Sequence, residues 1–209
     1  MLTLLAAAAW ACDAGVLSAI PAPPPDPDRP VVANGSYELN GVSLVGSLVT
    51  ILSAEPLEAW KSVLAKPENQ DEWHPAQFGT KRVERLGPGH VFQHMDLSVL
   101  WGAVHIRRHA IARIEWLESS DSRFHNCWQA EAPEPWLEKV AAWTEPEVEW
   151  NRIGYGGWLV DRRPEGGTQA SYQFWIESRI MFPQLEAWAS SRTLPDLMRA
   201  FDARAAIQR

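Results

Sequence analysis

Cysteine is scarce in this chain. Two residues, Cys12 and Cys127, among 209 exclude a disulfide framework. If the N-terminus is processed or lipidated, Cys127 remains as a lone thiol, most simply a small buried apolar residue. Basic residues are outnumbered, 19 against 26 acidic, and a net charge of -7 argues against a protein that tracks nucleic-acid phosphates. The pairs Arg107-Arg108 and Arg162-Arg163 make local basic spots. The apolar run Leu2–Ala11 is too short to span a bilayer as a helix. There is no Gly-x-Ser-x-Gly elbow, P-loop or dinucleotide fingerprint. Gly87-Pro88-Gly89 and Gly154-Tyr155-Gly156-Gly157 read as turns and bends.

Tryptophan, by contrast, is abundant: twelve residues spread from Trp10 to Trp188. Indole joins a large apolar face to one N–H donor, which suits a core and equally the wall of a pocket holding something greasy. The length fits one domain plus a tail.

The N-terminus reads as an address. Leu2–Ala11 followed by Ala9-Trp10-Ala11-Cys12 matches an apolar h-region and a small-residue cleavage site. Cys12 at that point resembles the lipobox of bacterial lipoproteins, although Trp10 is bulky for its slot and no Lys or Arg precedes the run. We expect an exported protein, periplasmic or membrane-anchored through a lipid on Cys12. Pro21-Ala22-Pro23-Pro24-Pro25-Asp26-Pro27-Asp28-Arg29-Pro30 cannot form helix or central strand and reads as a stiff spacer. The expected division is a leader over 1–20, a Pro-rich linker over 21–34 and a ligand-binding domain over 35–209.

Within that domain, Tyr37–Ser53 reads as one or two strands. Pro56 opens a helix carrying Leu57, Trp60, Val63 and Leu64 at helical spacing, and Glu68–Trp73 forms a second short one. Strands follow at Arg82–Leu86, His90–Val99, Val104–Trp116 and Ser122–Ala130. Glu134–Trp143 reads as a helical insertion with Trp136, Val140 and Trp143 on one face. A hairpin spans Trp150–Arg163 and Thr168–Ser178, and a long amphipathic helix spans Phe182–Gln208, kinked or broken at Pro195. Strands segregated from helices mean α+β: a curved antiparallel sheet gripping a long C-terminal helix, with two short helices after the first strand.

Three stretches carry a resemblance. In Ser53-Ala54-Glu55-Pro56-Leu57-Glu58-Ala59-Trp60 a strand runs directly into a helix, followed by the Trp73-His74-Pro75 stop. Gly156-Gly157-Trp158-Leu159-Val160 and Gly166-Gly167-Thr168-Gln169-Ala170-Ser171-Tyr172 make paired strands before the last helix, which Pro183 begins. With this order of elements the chain, from about Gly46 to Gln208, resembles the START-like superfamily, the helix-grip fold of polyketide cyclase-like and lipid-carrier proteins. The resemblance implies a cavity for a hydrophobic ligand such as a lipid, sterol, quinone or aromatic polyketide. It implies no fixed catalytic set. The insertion around Pro133–Pro146 and the extension from Tyr37 depart from compact members, as lid or filler.

Chemistry on the residues themselves is thin. His90 and His94, like His105 and His109, are four apart, which on a strand leaves them about 13 Å apart and unable to chelate as a pair. Neither a metal nor a cofactor is expected. Arg107 and Arg108 point to opposite faces, so one of them faces inward. The expected ligand wall is Trp101, Arg107, Trp128, Trp158, Tyr172 and Trp188, with Arg107 meeting a carboxylate or phosphate head group. The expected function is binding or transfer of a hydrophobic small molecule. The alternatives are a cyclase- or hydratase-type enzyme using Asp96, His94, Arg107 or His109 as acid/base, and a protein-interaction module presenting Trp136 and Trp143.

Overall fold

A computed structural model describes residues 20–39, 41–75, 80–99, 104–151, 153–177 and 183–208, without the side chains at 39, 97–99, 104–106 and 183–187. Cys12 and Trp101 lie outside the described residues. Residues 21–30 carry neither helix nor strand, as ten positions rich in Pro dictate. The chain then forms β1 (Val31–Leu39), β2 (Val42–Ser53), α1 (Leu57–Leu64), a 3-10 turn at Pro67–Glu72, β3 (Thr80–Gly87), β4 (His90–Val99), β5 (Val104–Ser119) and β6 (Arg123–Glu131). A 3-10 turn at Glu134–Trp136 leads into the single-turn α2 (Leu137–Val140), then β7 (Glu149–Trp150), β8 (Gly154–Arg162), β9 (Thr168–Glu177) and α3 (Pro183–Ile207). The first strand starts at Val31, ahead of the Gly35 expected as the domain start. Pro195 does not break α3.

The strands form one curved sheet in the order β1-β2-β9-β8-β6-β5-β4-β3, not closed into a barrel. All the pairings along it are antiparallel, and the two-residue β7 adds to β5 in parallel. This is the helix-grip arrangement expected from the order of elements.

Alternation along each strand builds two apolar layers. On the inner face Val49, Ile51, Phe124, Trp158, Val160 and Ala170 meet α1 through Leu57, Trp60 and Val63, and meet α3 through Leu194, Leu197, Met198 and Phe201. Phe201 is the hub: its ring stands 4.4 Å from Trp158, 4.6 Å from Trp73 and 6.5 Å, stacked, from Trp60. Truncating a ring buried in such a layer costs about 3–5 kcal/mol.

The outer face is covered as well. Ile20, the last residue of the expected leader, is buried with Leu44, Leu48 and Trp175. The insertion lays Trp136, Val140, Trp143 and Trp150 over Leu86, Phe92 and Ile111. The apolar face of Trp136 and Trp143 is therefore taken up by the chain's own sheet, and the interaction-module alternative loses the exposed patch it needed. Cys127, also on the outer side and fully buried, is disulfide-bonded rather than a lone thiol.

Candidate ligand-binding site

Register decides which predicted wall residues meet. Ile114 of β5 is the partner of Trp128 on β6, Trp128 of Gly156 on β8, and Gly156 of Phe174 on β9. Trp158 and Tyr172 are partners one pleat further along β8 and β9, on the same inner face. Their rings lie 4.6 Å apart, and Phe174 follows Tyr172 at 6.0 Å. Trp128, Trp158 and Tyr172 are thus brought together as expected.

Tyr172 and Trp128 form the polar detail of this aromatic wall. Burial holds the Tyr172 phenol well above its ordinary range, while a hydrogen bond from the Trp128 indole pulls the other way. The C-terminal part of α3 packs tightly on the Trp158 end of the wall. Trp128, Tyr172 and Phe174 are only half-buried. Phe174 is a wall residue missed by the sequence list, although its spacing of two from Tyr172 on one strand places it on the same face.

Arg107 does not join them. It pairs with Asp96, alongside His94–His109 and Phe92–Ile111, on the odd-numbered side of β5. That side is opposite Ile114 and Trp128. There Arg107 forms ion pairs with Glu145 and with Glu147 at 3.5 Å, and its Nε stands 4.0 Å from Asp96. The hydrogen bond to Glu145 holds its guanidinium above the ordinary range. Arg108 is the inward member of the pair, near one end of β5, where it bonds Glu149 at 3.2 Å and the Arg107 carbonyl at 2.7 Å. Arg107 thus lies on the face opposite the aromatic wall, and Arg108 on the same face as the wall. The same alternation places Asp96, His94 and His109 on the outer face, away from the aromatic wall. Trp188 on α3 is 42% exposed, with Arg192 stacked 4.8 Å over its ring.

A second polar cluster ties α1 to α3. Ser53 at the end of β2 accepts from the Glu55 amide at 2.9 Å and from Trp60 Nε1 at 3.2 Å, and donates to Asp202 of α3. Burial, with Glu55 nearby, raises the Asp202 carboxyl above its ordinary range against the lowering effect of Ser53. The hydroxyl uses its one proton and both lone pairs, which makes it a joint between elements.

Two depressions are lined wholly by described residues. One, about 510 Å³, is open and lined by Glu68, Asn69, Asp71, Glu72, Lys81, Val83 and Glu84; the other, about 50 Å³, lies beside Trp73, Lys66 and Arg204. Neither touches the aromatic wall. Among the described residues no group of three or more His, Cys, Asp or Glu is placed to hold a metal. Among them, too, no helix is long and apolar enough to cross a membrane.

No protein-family model matches the sequence, and no curated protein matches it. Solved structures do. A STAR-related lipid transfer protein fragment from Xanthomonas axonopodis superposes with a TM-score of 0.59 at 12% identity, covering 86% of this chain and 99% of that one. Human StAR-related lipid transfer protein 5 gives 0.58 at 11% identity, with 87% and 88% covered. The Zhui aromatase/cyclase from Streptomyces sp. R1128 gives 0.51 at 13%, with 84% and 94% covered. At such identities the likeness speaks for architecture alone: the chain adopts the START-like, helix-grip fold.

Proposed function

We propose that this protein binds a hydrophobic small molecule of the lipid, sterol or quinone class against the inner face of its sheet, and carries it without chemical change. The observation that supports this most directly is the half-buried ring set of Trp128, Tyr172 and Phe174 beyond the tightly packed part of α3. Large aromatic area left partly open beneath a helix is costly in water and is offset by an apolar guest. Two of the similar structures are lipid transfer proteins, which fits the same class. A cyclase-type enzyme has less support, because Asp96, His94, Arg107 and His109 sit on the opposite face.

Native purification of the full chain, followed by organic extraction and mass spectrometry, tests the proposal. One lipid or quinone class near one per chain supports it. An empty protein that also takes up no added fatty acid, sterol or quinone overturns it.

Export through the N-terminal leader belongs to the same proposal, and a disulfide at Cys127 suits an oxidising compartment. In a chain with two cysteines, an intrachain disulfide at Cys127 leaves no thiol at Cys12 for a lipid. Intact mass of the mature protein from its native host distinguishes a diacylglyceryl adduct from the disulfide.

A further inference from the structure

Under the insertion lies a histidine pair that ligand binding does not use. His94 on β4 and His109 on β5 are register partners, and their rings meet edge to face with centroids 4.8 Å apart. His109 is wholly buried, and neither of its ring nitrogens has a hydrogen-bond partner; Nε2 of His94 has none either. A buried imidazole so placed tolerates the neutral form far better than the charged one.

The cover over the pair comes from the insertion. Trp143 and Trp150 pack on Phe92 at 5.9 and 6.2 Å, and Trp150 meets His109 at 5.2 Å. β7 also completes the edge of β5 where β6 has ended: Arg108 and His109 pair with Glu149 and Trp150, and the Asn151 amide donates to the His109 carbonyl at 2.7 Å. The charged groups facing the pair are Arg107 from β5, Asp96 from β4, and Glu145 and Glu147 from the insertion. Glu145 stands 3.8 Å from His94 Nδ1. A proton on His109 finds no hydrogen-bond acceptor; burial and His94 oppose it, while Glu145 and Glu147 attract it and Arg107 repels it.

We propose that residues 141–150 form an acid-released flap, docked on the outer face while His109 is neutral and freed when His109 takes up a proton. Release uncovers Phe92 and His109 and bares the β5 edge at Arg108 and His109. Burial, together with the charge of His94, holds the His109 imidazole below its ordinary value of 6.5 while docked. Docking is therefore at full strength above about pH 6.5 and weakens as pH falls below it.

The test is peptide-resolved hydrogen exchange on the full chain at pH 7.5 and 5.5, corrected for the intrinsic pH dependence of exchange. Protection of peptides within 141–150 is expected to fall about tenfold relative to peptides from β2 and β9, which contain no histidine. His109→Phe keeps the ring and removes the proton, so the relative fall disappears. His94→Phe removes the neighbouring cation and shrinks it, a second check should the first variant not fold. An equal change in all peptides, or a full relative fall in whichever variant folds, overturns the flap.

Discussion

The indole of Trp128 lies across its register partner Gly156, where an added Cβ would stand 2.5 Å from the ring and 2.6 Å from the Gln173 carbonyl oxygen. Only a residue without a side chain lets the two strands and the ring share this space. Gly156→Ala is expected to displace Trp128 and to destabilise the fold by about 2 kcal/mol. Urea denaturation measures the loss, and an unchanged midpoint would show that the ring is not held there. Gly46 stands in the same relation to Trp175 on the outer face, so Gly46→Ala gives a matched loss without touching the ligand wall.

Ser53 joins three elements through one oxygen. Ser53→Ala leaves the Trp60 indole N–H and the Asp202 carboxyl without that partner in a part-buried setting. The expected cost is about 2 kcal/mol in thermal or urea unfolding. Because the change lies at the α1–α3 joint, exchange protection should fall in Leu57–Leu64 and in the second half of α3 before it falls in β4 and β5. Uniform loss across the chain would contradict a joint.

His74 sets a pH dependence of global stability. Its ring packs between Trp73 and Phe201 at 5.1 and 5.6 Å, and burial lowers its pKa from 6.5 to about 4. The unfolded chain takes up the proton first as pH falls. The stabilisation is thus complete above about 6.5 and is lost progressively down to about 4, by about 3 kcal/mol. His74→Phe should remove this share of the slope. Urea midpoints at pH 7 and 4.5 that fall equally in the two proteins would exclude it.

Arg107 and Trp128 separate the two faces by function. Trp128→Ala is expected to cut ligand occupancy at least severalfold in the extraction experiment, since it removes a ring from the wall. Arg107→Ala is expected to leave occupancy unchanged while loosening the insertion, because its partners Glu145 and Glu147 are there. Reduced occupancy in the Arg107 variant with an intact insertion would place the binding surface on the outer face instead.

Much of the architecture was legible from local pattern. His90–Val99 is recovered as a strand with the same ends, and Pro56 and Pro183 mark helix starts because a missing N–H costs nothing there. Trp136, Val140 and Trp143 share a face as their spacing requires. Pro195 misled, since α3 continues through it with Leu194, Leu197 and Met198 packed on the core. Tertiary packing outweighs the loss of one helical hydrogen bond. Trp158 and Tyr172 share the inner face of the sheet, while Arg107 lies on the outer face and Arg108 on the inner.

That last difference marks the boundary between the two sources of information. Alternation along β5 by itself determines that Arg107 and Arg108 lie on opposite faces, because successive side chains leave a pleated strand in opposite directions. It carries no sign for which face is inner. The sign comes from pairings between residues far apart in the chain, Ile114 with Trp128 and Gly156 with Phe174, and from where α3 finally rests. Likewise the sequence by itself determined an apolar stripe on the insertion, and only the tertiary structure decided that the outer face of the sheet would cover it. Apolar area must be buried, but the partner that buries it is fixed by long-range packing.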